Sequence, residues 1–179
     1  RVLENRDYTT TLGFVNAGVV ELGGGVWNSN TLSNSPSAEI FGFGSITPQV
    51  SNDGLVRANG GTISVANGIV GSAGAIQIDA DAGLENGGAS SANPLAHNGS
   101  AADSLNLQAF DITVHGDYTN ANFGEGNAFV SRAKVIGNGQ ILAAGDVAQH
   151  LSGDVSDGNT ANAVLDFGNV HVGDLNTLN

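Results

Sequence analysis

The stretch Asn16-Ala17-Gly18-Val19-Val20-Glu21-Leu22-Gly23-Gly24-Gly25 returns later in the chain as Asn52-Asp53-Gly54-Leu55-Val56-Arg57-Ala58-Asn59-Gly60-Gly61. Asn16, Gly18, Val20, Gly24 and Gly25 each reappear 36 positions on, as Asn52, Gly54, Val56, Gly60 and Gly61. A fixed offset marks a repeated structural unit, and periods of this size belong to solenoids, propellers or arrays. Working outward, Gly42-Phe43-Gly44-Ser45-Ile46, Gly71-Ser72-Ala73-Gly74-Ala75-Ile76 and Gly137-Asn138-Gly139-Gln140-Ile141 each read as a Gly-rich turn feeding an apolar strand. Asp7-Tyr8-Thr9 is echoed by Asp117-Tyr118-Thr119.

The residues between these turns alternate with a period of two. Val20 and Leu22 oppose Val19, Glu21 and Gly23; Ile63 and Val65 oppose Thr62, Ser64 and Ala66; Ile76 and Ile78 oppose Ala75, Gln77 and Asp79. Short alternating runs bounded by Gly, Asn and Asp specify strands, and no segment holds helical spacing for three turns without a glycine. The strands are too short and the turns too frequent for long hairpins. The pattern predicts an all-β right-handed parallel β-helix, with a β-sandwich as the alternative. The 36-residue offset then spans two coils of roughly 18 residues, giving eight or so coils, with Asn and Gly supplying the corner conformations. Ile63, Val65, Ile76 and Ile78 are expected to point inward.

With 179 residues, 40% of them hydrophobic, the chain is long enough for one continuous core. Residues 1–162 read as the solenoid. Within it, residues 85–104 (ENGGASSANPLAHNGSAADS) lack alternation and are expected to bulge as a loop, the first place to seek a ligand-binding surface. Residues 163–179 form a terminal strand segment.

The net charge is −12, from 17 acidic against 5 basic side chains, and Lys134 is the sole lysine. Without clustered Lys and Arg, nucleic acid and anionic membrane surfaces are disfavoured as partners. No apolar run is long enough to insert in a membrane. Cysteine is absent, which excludes disulfides and zinc-thiolate chemistry. Methionine is absent too and the chain begins at Arg1, so it is expected to be a processed segment of a longer precursor.

The runs VNAGVVELGGGVWNSNTL, NDGLVRANGGTISVANGIVGSAGAIQIDADAGL and DYTNANFGEGNAF with AKVIGNGQILAAGD resemble the passenger repeats of large bacterial surface proteins of the autotransporter and haemagglutinin-like adhesin type. Val164-Leu165-Asp166-Phe167-Gly168-Asn169-Val170-His171-Val172-Gly173 resembles the opening strand of the Ig-like domain in choice-of-anchor surface proteins, although the pattern stops after one strand. The resemblance covers nearly the whole chain, and its motifs are compositional. It implies a secreted, extracellular or cell-surface rod with host or matrix glycans, or other copies of itself, as partners.

Candidate chemistry is sparse. His97, His115, His150 and His171 sit in no HExxH or nucleophile-base spacing. Gly42-Phe43-Gly44 and Gly137-Asn138-Gly139 read as turns, not phosphate loops. Glycan hydrolysis needs clustered carboxylates, and the nearest approach is Asp111, Thr113 and His115 on one strand face with Asp117 following. A glycan-active enzyme therefore stands as an alternative. No cofactor is expected, but Asp79, Asp81 and Glu85 carry the D-x-D-x-G opening of a calcium loop, incomplete beside an EF-hand, and the acidic turn 154–159 is similar. A calcium-dependent glycan-binding module is the further alternative, set against plain acidic β-turns. Trp27, Tyr8, Tyr118 and the seven phenylalanines are sugar-stacking platforms where exposed and core or end-cap residues otherwise.

The sequence as a whole predicts a non-enzymatic structural or adhesive rod. End-to-end assembly into an extracellular filament or biofilm fibre would use the strand containing Val164, Leu165, Phe167, Val170 and Val172, which must pair either with its own rod or with a neighbour.

Overall fold

In the computed structural model, the described residues are 1–98, 104–116, 118–120, 135–143, 146–149, 164–166 and 169–172. Among them every strand pairing is parallel and there is no helix. The chain winds as a β-solenoid of about six turns. Each turn lays down three strand segments. In the second turn, residues 19–23 and 26–28 form the two halves of the bent strand Val19–Asn28, and Leu32–Asn34 forms the third segment.

Stacking turn on turn aligns equivalent side chains. Val20, Ile40, Val56, Ile76 and Leu95 form one interior column along the first face. Ile63, Leu84 and Leu105 form another on the second face, beside Trp27, Ile46 and Val65. Phe14, Leu32, Val50 and Ile69 line the third. Period-two alternation is what fills these columns, since each inward residue is apolar and its neighbours face out. Burying each Val, Ile or Leu contributes about 1.5–3 kcal/mol, so the core energy is spread along the rod. Ile63, Val65, Ile76 and Ile78 lie inward and fully buried, as their alternation predicts.

The 36-residue repeat is two turns. Val20 pairs with Ile40, which pairs with Val56, and Asn16 pairs with Asn34, which pairs with Asn52. The intervening turn carries Asn34 but not the full glycine signature, so the sequence repeats visibly only every second turn. At this corner the three buried asparagines form a ladder. Asn16 Nδ2 donates to Asn34 Oδ1 at 2.8 Å, and Asn34 Nδ2 donates to Asn52 Oδ1 at 2.8 Å. The same amides donate to the carbonyls of Glu39, Leu55 and Ala75 at 3.0–3.1 Å, while Gly18 and Gly54 N–H donate to Asn16 and Asn52 Oδ1. Backbone groups freed by the turn thus find partners inside the corner.

One segment differs from expectation. Much of the segment expected to loop out is an ordinary turn of the solenoid: strands Gly83–Asn86, Ser90–Ala92 and Leu95–His97 pair with Leu55–Val65, Ile112–Val114 and Ala75–Ile78 respectively. Its alternation was hidden because small and polar residues take inward places, with Asn86, Ser90, Ala92 and His97 all buried. The segments Val164–Asp166 and Asn169–Val172 pair in parallel with Gln140–Ala143 and Asp146–Gln149 of the same chain, the intrachain alternative for the terminal segment.

Candidate functional site

The corner between the first and second faces is built differently from the asparagine corner. Strands Val19–Asn28, Glu39–Ile46 and Leu55–Val65 bend within their own length, and the pairing register slips between Gly23 and Val26 and between Gly42 and Gly44. Gly24, Gly42, Gly44 and Gly60 have φ of 95°, 109°, 134° and 72°, a region that a side chain disfavours. Register slips of this kind re-aim side chains. Phe43, held between Gly42 and Gly44, turns outward and leaves 37% of its surface exposed.

The space beside the ring is kept clear by glycines on both neighbouring turns. A Cβ added at Gly24 would lie 3.0 Å from Phe43 Cε2, and one at Gly61 would lie 2.9 Å from Phe43 Cβ. The result is an open cleft of about 320 Å³ with Phe43 in its lining. Ser45 and Ser64 pair across adjacent strands, and Ser64 pairs with Glu85 on the next, so three polar side chains form a row along the rod. Thr62 and Glu4 complete the polar rim.

The acidic residues singled out for calcium do not assemble a cage. Asp79 Oδ2 accepts from Arg57 Nη2 at 2.7 Å, Arg57 Nε at 2.8 Å and Asn59 Nδ2 at 2.8 Å, while its Oδ1 accepts from Gln77 Nε2 at 2.6 Å. Burial pushes the Asp79 carboxyl up, but these hydrogen bonds and the Arg57 charge outweigh it and hold it below its ordinary value. Asp81 Oδ1 accepts from Gly60 N–H at 3.3 Å, and Glu85 belongs to the Phe43 cleft instead. Among the described residues no three His, Cys, Asp or Glu side chains come together in a way that holds a metal ion. The acidic turn 154–159 lies outside the described residues, as do Asp117 and Phe167.

Asp111, Thr113 and His115 share the outward face of strand Ile112–Val114, as alternation predicts, with Asp111 and His115 exposed. His97 is different: it is fully buried, its Nε2 lies 2.5 Å from Ser104 Oγ, and burial lowers its pKa to about 4. Trp27 is a core residue, in a cluster with Tyr8 and Phe14 at ring-centroid distances of 4.2 and 4.8 Å. Its indole N–H donates to Ser29 Oγ at 3.0 Å. Among the described residues flagged as sugar platforms, Phe43 lines a cleft, and the flanking glycines of Gly42-Phe43-Gly44 were the signal. Compared with known protein families, curated proteins and solved structures, the chain matches none.

Proposed function

We propose that the chain is a non-catalytic structural and adhesive rod of a bacterial surface protein. The observation that supports this reading best is the architecture: parallel turns stacked in register by continuous aliphatic columns and an asparagine ladder make a stiff linear scaffold. A net charge of −12 keeps such a β-rich surface soluble and mutually repelling at high local density. Antibodies raised against the chain should label unpermeabilised cells of its source. Labelling confined to permeabilised cells would contradict the surface location, and reducing-end release from neutral or acidic polysaccharides would contradict the non-catalytic role.

A second reading, homotypic association, is favoured by one specific feature. Among the described residues, five of the seven exposed large hydrophobics, Leu3, Tyr8, Leu12, Val15 and Val19, fall within the first turn and the entry to the second, where Leu12, Val15 and Val19 are each at least 65% exposed. These residues form the apolar face on which a second copy would seat. Light scattering across a hundredfold range of concentration tests it: growth in mass that Val15→Asp abolishes supports association, and a constant monomer mass contradicts it.

A further inference from the structure

We infer that the Phe43 cleft is a subsite for a neutral pyranose ring of a glycan. The inference rests on the adhesive part of the function proposed above and names its ligand class. Three features of the cleft converge on this chemistry.

The floor is a partly exposed aromatic ring with no side chain crowding it from the adjacent turns, because Gly24 and Gly61 occupy the positions whose Cβ atoms would meet it. A pyranose presents a flat C–H face that stacks on such a ring, as apolar faces do on aromatics generally. Around the floor, the hydroxyls of Ser45, Thr62 and Ser64 and the carboxylates of Glu4 and Glu85 take no part in the side-chain hydrogen bonds or ion pairs among the described residues. Hydroxyls both donate and accept, and carboxylates accept strongly from sugar hydroxyls. Ser45, Ser64 and Glu85 lie on successive strands about 4.8 Å apart, so acceptors follow the rod axis, a geometry suited to a chain of sugars lying along it.

Charge selects within the glycans. Two carboxylates at the rim and no cation lining the cleft disfavour uronate, sialylated or sulfated rings by like-charge repulsion. The open shape and volume of about 320 Å³ suit a single ring, with a dissociation constant on the order of 1 mM.

The test is amide-resolved NMR titration of the whole chain with three neutral hexasaccharides (cello-, malto- and chitin-derived) and with oligogalacturonate. At least one neutral oligosaccharide should shift the amides of Gly24, Gly44, Ser45, Thr62 and Ser64, with Phe43→Ala lowering affinity at least tenfold while leaving other amides in place. Ser64→Ala should weaken binding by about threefold and provides a second variant if Phe43→Ala perturbs the bend. No shifts at the cleft with any neutral sugar, stronger binding of oligogalacturonate, or binding unaffected by both variants would overturn the inference. Such a failure leaves the surface rod standing, since cell labelling and the absence of product release test that reading separately.

Discussion

The asparagine corner and the glycine corner solve one problem in opposite ways. At the asparagine corner, the backbone groups released by the turn are satisfied by Asn16, Asn34 and Asn52, whose side chains are buried and hand hydrogen bonds from one turn to the next. At the glycine corner, the chain bends by positive φ and slipped register, and the side chains there point outward. The first corner consumes its polar groups internally; the second leaves Ser45, Thr62, Ser64, Glu4 and Glu85 at the surface around Phe43. One repeat therefore carries both a scaffold edge and a presenting edge. Substitutions should cost stability at the first and recognition at the second.

The largest effect should come from the core both corners share. Ile76→Asp places an unpaired carboxylate in the column of Val56, Ile76 and Leu95, and the chain should lose its cooperative unfolding transition altogether. Far-ultraviolet circular dichroism that melts like the parent would mean the column is not the core.

Next comes the asparagine ladder. Asn34→Ala takes one partner each from Asn16 Nδ2, Asn52 Oδ1 and the Leu55 carbonyl; because Asn16 Nδ2 still donates to the Glu39 carbonyl and Asn52 Oδ1 still accepts from Gly54 N–H, the cost should lie at the low end of 1–3 kcal/mol per group, roughly 3–5 kcal/mol in all. Chemical denaturation measures it.

Acid should then weaken the rod through His97. Its folded pKa of about 4 lies below the ordinary 6.5, so the folded state resists protonation that the unfolded chain accepts. Stability is full above pH 6.5, falls by about 3 kcal/mol between 6.5 and 4, and changes no further through this group below 4. His97→Gln should flatten that slope. Asp79, whose folded pKa is depressed, adds a separate loss at still lower pH, reduced by solvent screening of its half-exposed Arg57 partner. Tracking the midpoint of denaturation from pH 7.5 to 4.5 isolates the histidine.

A smaller effect should appear within the glycine corner itself. Gly61→Val drives a Cβ into Phe43 Cβ and should cost about 2 kcal/mol, whereas Ser64→Val, outward on a strand that favours branched residues, should stay within about 0.5 kcal/mol. Equal costs would mean the clearing around Phe43 is not sterically enforced.

How far the sequence could be read follows from the same contrast. The parallel coil and the inward register of Ile63, Val65, Ile76 and Ile78 were legible, because strict alternation and a fixed glycine spacing leave few alternatives. The turn formed by Gly83–Asn86, Ser90–Ala92 and Leu95–His97 was not, since polar side chains fill inward places and satisfy one another there, as Ser90 Oγ does by donating to Asn86 Oδ1 at 2.6 Å. Asp79 looked like a cation ligand because Arg57, 22 positions away, is brought beside it only by stacking. Phe43 was legible as an aromatic between glycines, but the clearing around it depends on Gly24 and Gly61 from the turns on either side.

The most direct test of the contrast is to melt Asn34→Ala and Phe43→Ala side by side at pH 7.5. The Asn34 variant should lose roughly 6–20 °C, at 2–4 °C per kcal/mol for a chain of this length, while the Phe43 variant stays within about 2 °C of the parent. A Phe43 variant that falls as far as the Asn34 variant would contradict the division between scaffold corner and presenting corner.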